Sequence, residues 1–152
     1  MKRSARVSAV LTAAVAAAAI AAGCGNEEQN DYVDEVNAIQ QEIADAATEA
    51  GASAPSDPKQ AAAVGHQIAD AFAQGAEDLQ AVDPPEEVTD LHEQLTQQLT
   101  QVADDINSAA DTFESGNAQQ AAQAATELQQ SVTQAQTEVN RLISEINSEF
   151  GN

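Results

Sequence analysis

Aliphatic side chains recur every three or four residues in four successive segments of this 152-residue chain, and this spacing restricts its fold more than any other feature. A period near 3.6 places such residues on one face of an α-helix, whereas a half-buried β-strand requires apolar and polar residues to alternate. No stretch of the sequence sustains that alternation. The pattern therefore predicts an all-α fold, an antiparallel up-down helical bundle of about four helices.

Caps and helix-breaking residues set the limits of the predicted helices. The first helix follows Asn30 or Asp31 as its N-cap and ends at Gly51. Pro84-Pro85 separates the second helix from the third, and Gly116-Asn117 separates the third from the fourth. The connections after the second and third helices are short, which favours antiparallel neighbours. The longer break near Gly51 constrains the first helix less, so a long hairpin of the last two helices with the first two packed along it is an alternative.

The second and third predicted helices have recognisable first turns. Asp57 is expected to be an N-cap, with Pro58 at the first helical position and Gln60 as its capping-box partner. Glu86 and Glu87 are expected in the first turn of the third helix, where negative charge is favourable. The stripes predicted to form the core are Tyr32, Val36, Ile39, Ile43 and Ala50; Val64, Ile68, Phe72, Leu79 and Val82; Val88, Leu91, Leu95, Leu99, Val102, Ile106 and Phe113; and Leu128, Val132, Ala135, Val139, Leu142, Ile146 and Phe150.

The first 24 residues have the composition of an export signal. Three basic residues within the first six precede an uncharged, alanine-rich run over residues 7–22, and Gly23 precedes Cys24, the chain's one cysteine. This order of basic, apolar and small residues is typical of a cleaved secretory signal peptide. A membrane-spanning helix requires about 20 strongly apolar residues, so the run is too short and too weakly apolar to predict one.

Ala21-Ala22-Gly23-Cys24 resembles the lipobox of bacterial lipoproteins, and the alanine-rich leader is similar to those of actinobacterial ones. Ala21 stands where the pattern usually has Leu. The resemblance implies cleavage between Gly23 and Cys24 and acylation of the Cys24 thiol. Two or three acyl chains would anchor the protein durably, because each buried methylene contributes about 0.8 kcal/mol. An ordinary signal peptide with a coincidental cysteine is the alternative.

These expectations divide the chain into three parts. Residues 1–23 are the lipoprotein signal peptide, residues 24–30 are the lipidated cysteine with a short tether, and residues 31–152 are an acidic α-helical domain. The predicted location is the extracytoplasmic face of the cell membrane, reached through the lipid anchor. The stretch Val82-Asp83-Pro84-Pro85-Glu86-Glu87 also resembles a pattern in uncharacterised helical lipoproteins of bacteria, but a proline-containing helix junction explains it equally well.

The charge of the predicted mature part excludes one class of partner. Lys59 and Arg141 are its two basic residues and stand against all 25 acidic residues, a net charge of −23. Binding to nucleic acid requires clustered Lys and Arg, so nucleic acid is excluded as a partner. Anionic lipid headgroups would also repel this surface, and the acidity indicates either adaptation to salt or plain solubility.

The two histidines do not predict a metal centre. A di-iron bundle requires Glu-x-x-His pairs, but Ala63 and Thr89 stand three residues before His66 and His92. His66 has Asp70 one turn later, and an exposed histidine with a weak ion-pair neighbour explains that spacing better than a metal site. His92 is expected at the edge of the core stripe, and no cofactor is predicted.

Other sequence signals of catalysis are also lacking. The sequence contains no nucleophile elbow, no glycine-rich phosphate loop and no calcium loop, and Asp104-Asp105 is expected on a solvated helix face. The predicted function is therefore a non-catalytic helical module of the cell envelope that contacts a protein partner. The alternatives are a carrier or sensor of a small apolar ligand within the bundle, and an enzyme whose site assembles from scattered carboxylates.

Overall fold

A computed structural model describes residues 20, 27–52 and 55–151, and four α-helices account for most of them. The helices are α1 (Glu27–Gly51), α2 (Pro58–Ala81), α3 (Thr89–Ser115) and α4 (Ala118–Glu149), and a 3₁₀ turn over Glu86–Val88 precedes α3. The described residues contain no β-strand. The predicted all-α fold of about four helices is confirmed.

Neighbouring helices run in opposite directions. Gly65 of α2 lies against Ala110 of α3, and Leu79, near the other end of α2, lies beside His92. Higher residue numbers in α2 thus face lower numbers in α3. The same reversal relates α3 to α4, where Asp105 contacts Ser131 and Gln94 contacts Arg141. These pairings give the up-down order expected from the short connections.

The buried residues form two clusters along the bundle. The aliphatic cluster is Ile20, Tyr32, Val33, Val36, Ile39, Ile43, Ala76, Leu79, Val88, Leu95, Leu99, Leu142, Ile143, Ile146 and Phe150. The alanine-rich cluster is Ala47, Ile68, Ala69, Val102, Ile106, Ala109, Ala124, Leu128 and Ala135. Large side chains fill the end near Pro84-Pro85, whereas small ones allow close packing at the other end. Eight residues predicted in the core are only partly buried: Ala50, Val64, Phe72, Val82, Leu91, Phe113, Val132 and Val139.

The start of α1 differs from the prediction. The helix begins at Glu27 and not after Asn30 or Asp31, so residues 27–30 are helical where a tether was expected. Glu27 and Glu28 lie in the first turn, where carboxylates interact favourably with the helix dipole. The predicted end at Gly51 is confirmed.

The junction between α2 and α3 also differs in detail. Glu86 and Glu87 lie in the separate 3₁₀ turn and not in the first α-helical turn, and α3 begins at Thr89 with Asp90 as its first-turn acid. The turn is held by a hydrogen bond from the Val88 N–H to the Pro85 carbonyl. Val88 is nonetheless fully buried, as its place in the predicted stripe requires.

The predicted N-terminus of α2 is confirmed apart from one contact. The Asp57 carboxylate accepts a hydrogen bond from the Gln60 N–H, and Pro58 occupies the first turn. The Gln60 side chain, however, accepts from the backbone N–H of Ser56 and not from Asp57. The Gln60 side chain thus reaches one residue beyond the N-cap, to Ser56.

Two glycines allow α2 to approach its neighbours closely. A Cβ atom at Gly65 would lie 2.9 Å from the Ala110 Cβ of α3, and one at Gly75 would lie still closer to the Ile43 Cδ1 of α1. Such distances are shorter than real Cβ contacts, so these positions accept no side chain without movement. The face of α2 that is buried consists mainly of small residues: Ala62, Gly65, Ala69, Gly75 and Ala76.

The first and last helices are farther apart than consecutive helices are. No Cα atom of α1 lies within 8 Å of one in α4, although each pair of consecutive helices approaches that closely. Large side chains span the gap, since the rings of Tyr32 and Phe150 meet edge to face with centroids 6.0 Å apart. The bundle therefore has three tight seams and one wide seam, between α1 and α4.

Candidate functional site

The predicted lipidation site lies outside the described residues. Gly23 and Cys24 fall in the segment 21–26, so cleavage and acylation there remain predictions. Ile20 is the one residue of the predicted leader that the structure describes. It is 2% exposed and belongs to the aliphatic cluster. The sequence pattern places the same residue in the apolar run of the signal peptide.

Asn37 of α1 holds Ile20 through both the oxygen and the nitrogen of its side-chain amide. The Ile20 N–H donates to Asn37 Oδ1 at 3.0 Å, and Asn37 Nδ2 donates to the Ile20 carbonyl at 3.0 Å. A residue whose N–H and C=O point to the same side has an extended backbone, as in a hydrogen-bonded pair of an antiparallel sheet. The Asn37 carboxamide thus takes the place of a partner strand. Sequence reasoning missed this contact, because a half-buried asparagine between apolar helix positions gives no distinctive signal.

Gln40 lies one turn beyond Asn37 on α1. Its side-chain Nε2 is buried and has no hydrogen-bond partner among the described residues. A buried amide donor without a partner costs free energy, since it has lost its bonds to water. Asn37 and Gln40 are thus two carboxamide side chains one helical turn apart on α1, and Asn37 is the one that holds Ile20.

A second polar group is enclosed in the core at the α2–α3 end. His92 is 5% exposed and not at the edge of the core, and its Nδ1 lies 3.3 Å from the Tyr32 hydroxyl. The ring centroids of the two residues are 5.8 Å apart. His92 also forms a hydrogen bond with the Leu79 backbone, so one side chain joins α1, α2 and α3.

Burial alters the protonation of both rings. Removal from water lowers the pKa of His92, and the nearby Glu93 charge and the hydrogen bond with the Leu79 backbone oppose that effect. Burial raises the pKa of Tyr32 to about 12. Both rings are therefore neutral near pH 7, which suits a structural hydrogen bond.

His66 has different neighbours from those predicted. Its Nδ1 lies 2.7 Å from Asn107 Oδ1, and its Nε2 lies 3.7 Å from a carboxylate oxygen of Asp111. Both partners are on α3, so the histidine bridges two helices and does not pair with Asp70 within α2. No group of three or more His, Cys, Asp or Glu residues in the described part of the chain is placed to hold a metal ion.

The surface depressions of the described region are polar. One, on α3, is lined by Gln97, Thr100, Gln101, Asp104 and Asp105. Asp104 is exposed as predicted, whereas Asp105 is half-buried and accepts a hydrogen bond from the Ser131 hydroxyl of α4. A second depression, near the start of α1, is lined by five carboxylates and by Tyr32 and Ala81. Neither resembles a pocket for an apolar molecule.

Comparison with known protein families gives one match. A model described as a family of unknown function, DUF6376, matches residues 26–147, which include all four helices almost completely. The chain belongs to this family. The search of curated proteins and the search of solved structures return no match. Membership of DUF6376 therefore assigns a domain without assigning an activity.

No helix in the described residues is long and apolar enough to span a membrane. All four helices carry charged residues on their outer faces, and each buries only one face. The DUF6376 match begins at residue 26, two residues after Cys24 and within the predicted tether over residues 24–30.

Proposed function

We propose that this DUF6376 member is a lipoprotein, anchored through Cys24 on the outer face of the cell membrane, and that it acts there as a non-catalytic helical module that contacts a protein partner. The sequence around Cys24 carries the proposal. A basic segment, an uncharged run and three small residues precede the chain's single thiol in the order that a lipoprotein signal requires. Acylation would account for the presence of a single thiol, which has no disulfide partner, in an exported chain.

The structure of the helical part is compatible with an interaction role. Most residues that line the two depressions are polar, and long rows of Gln, Thr and Glu cover the exposed faces of α3 and α4. A carrier of apolar ligands would require a large apolar cavity, and neither of these two depressions is one. These observations favour contacts with a protein over storage of a small molecule.

Anchoring is tested by substitution of the modified residue. We expect the Cys24→Ala variant to leave the membrane fraction, because the acyl chains provide most of the membrane affinity of this acidic domain. The Gly25→Ala variant is the matched control and should remain in the membrane fraction. Fractionation of cells that express each variant measures membrane retention, and intact-mass analysis of the product measures acylation. Equal membrane retention of the Cys24→Ala variant and the control would contradict the proposal.

The interaction role is tested separately by crosslinking in intact cells. Photo-reactive residues at the exposed positions Gln130 and Gln134 of α4 should give discrete protein adducts that disappear in the Cys24→Ala background. We expect the adducts to be lost when the protein leaves the membrane, because the proposed partner lies in the same envelope layer. An absence of adducts from exposed positions on all four helices would refute the interaction role while leaving the anchoring result intact.

A further inference from the structure

We propose that Asn37, Gln40 and the adjoining aliphatic cluster form a binding site for an extended apolar peptide, which Ile20 fills in the full chain and which a segment of the partner protein fills once the leader has been removed. The availability of the site in the anchored protein depends on the processing that the proposed function assumes. The occupant is an extended segment with an aliphatic side chain at one position and small residues beside it.

The chemistry of the Asn37 contact supports recognition of a peptide backbone. Two hydrogen bonds, each 3.0 Å long, join one carboxamide to the N–H and C=O of a single residue. This contact is independent of the side chain of the bound residue, as in recognition by addition of a strand. Side-chain selection comes from the aliphatic cluster, in which Ile20 is 2% exposed. An aliphatic residue fits this place, whereas a charged one would be buried without a partner.

The residues that flank Ile20 in the sequence are small. Ile20 is preceded and followed by alanine in the sequence. Ile20 lies beside Asn37, ten residues beyond the start of α1 at Glu27, so a peptide that binds with the direction of the link from Ile20 to Glu27 would run antiparallel to α1. In a bound peptide, residues that precede the aliphatic position would therefore extend along α1 toward Gln40.

Gln40 supplies the second observation. Its buried Nε2 has no partner among the described residues, and Gln40 follows Asn37 by one helical turn of α1. A carbonyl of the peptide that precedes the aliphatic position would accept a hydrogen bond from this amide. An otherwise unfavourable buried donor is thereby explained as part of a longer backbone-binding site.

Removal of the leader would leave this site empty. The chain from Cys24 onward lacks Ile20, so the Asn37 carboxamide would lose both of its hydrogen bonds and the aliphatic cluster would lose one member. An exposed apolar position beside two unpaired amides favours a replacement with the same chemistry. The leader therefore occupies the peptide-binding site only while it remains attached to the chain.

The test uses the full chain with Cys24→Ser, which prevents acylation and the cleavage that follows it. The probe is a synthetic peptide of residues 15–23 that carries a neutral hydrophilic linker and a fluorophore. We expect the Ile20→Asp variant of this chain to bind the peptide at least tenfold more tightly than the chain with Ile20 intact, whose site is already filled. Asn37→Ala in the Ile20→Asp background should weaken binding about tenfold through loss of two hydrogen bonds.

Variation of the peptide separates recognition from folding. A peptide with an N-methyl group at the Ile20 amide loses one donor and should bind several-fold more weakly to the protein that retains Asn37, but no more weakly to the Asn37→Ala variant. Gln40→Leu should weaken binding of the 15–23 peptide and not of a peptide that begins at residue 20. Circular dichroism establishes that each variant is helical.

Two results would overturn the proposal. One is an absence of peptide binding by a helical Ile20→Asp variant, and the other is equal binding by that variant with and without the Asn37→Ala substitution. Neither depends on acylation, because the test protein carries no thiol at position 24. A failure of the peptide site is therefore distinguishable from a failure of the lipid anchor, which the fractionation of the Cys24→Ala variant measures.

Discussion

At the residue scale, the polar side chains that matter most are the ones enclosed by the bundle. His92 is neutral because burial lowers its pKa, and its hydrogen bond with Tyr32 joins α1 to α3. Asn37 and Gln40 are amides that the sequence places among apolar helix positions. Buried polar groups contribute to specificity when they are paired and cost stability when they are not. The His92–Tyr32 pair links α1 to the rest of the bundle, and the Asn37–Ile20 pair holds Ile20 against α1.

Protonation of His92 is expected to destabilise the fold. The pKa of His92 in the folded chain lies below the ordinary value of 6.5, so the unfolded chain takes up a proton first as the pH falls. The free energy of unfolding should therefore decrease as the pH drops below about 6.5 and should be insensitive to this group above it. Thermal melts at pH 7.5 and 5.5 measure the effect. Glu87 and Glu138, whose pKa values are lowered below 4.5, titrate outside that window.

The matched control is a His92→Gln variant, which keeps a polar side chain without a titratable group. Its melting temperature should fall less between pH 7.5 and 5.5 than that of the natural chain. Identical decreases in the two proteins would show that His92 does not cause the pH dependence.

At the scale of the helices, small residues and caps determine how the elements meet. Gly65 permits a close approach between α2 and α3, because the Ala110 methyl group occupies the space that a side chain would need. Asn117 begins α4 with a complete capping box, in which its side chain accepts from the Gln120 N–H and the Gln120 side chain accepts from the Asn117 N–H. The sequence pattern alone indicates only a break between helices at Gly116-Asn117.

Substitution of Gly65 by Ala should destabilise the bundle although it raises helix propensity. The gain in propensity is about 1 kcal/mol, but the new methyl group would lie 2.9 Å from the rigidly placed Ala110 Cβ, and overpacking costs about 1–3 kcal/mol. A net loss of about 1 kcal/mol is expected in urea denaturation. Gly51→Ala is the control, since no atom lies within 4 Å of its added Cβ and its stability should not decrease. Equal stabilisation by both substitutions would contradict the close approach.

Loss of the α4 cap should cost about 1 kcal/mol. Asn117→Ala removes the side chain that accepts from the Gln119 and Gln120 N–H groups, and N-cap substitutions have costs of this size. Asn140→Ala, at an exposed position inside α4, is the matched control and should leave stability unchanged or increase it. A smaller loss at position 117 than at position 140 would exclude a role for the cap.

At the scale of the whole molecule, charge and the wide α1–α4 seam distinguish this bundle. The part after Gly23 has a net charge of −23, and Arg141 is paired on α4 with Glu138 at 2.5 Å and Glu145 at 2.6 Å. These exposed pairs contribute little against the repulsion among so many carboxylates. The wide seam depends on Tyr32, Phe150 and the aliphatic cluster for its cohesion.

Added salt should stabilise the protein by screening this repulsion. The Debye length falls from about 30 Å at 0.01 M to about 3 Å at 1 M salt, so we expect the melting temperature to rise over that range of NaCl. A variant with Glu42→Gln, Glu49→Gln and Glu127→Gln, all at exposed helix positions, should show a shallower dependence. A melting temperature that does not change with salt in the natural chain would contradict this expectation.

The sequence by itself determined the fold class, the ends of most helices and the majority of the core, because helical period, proline pairs and caps are local signals. It also suggested the export signal at Cys24. Only the tertiary structure decided that His92 is enclosed, that Gly65 meets Ala110 and that Ile20 is held by Asn37. Each of these depends on which distant residue lies opposite, and a pattern along one helix contains no information about the face that another segment will cover.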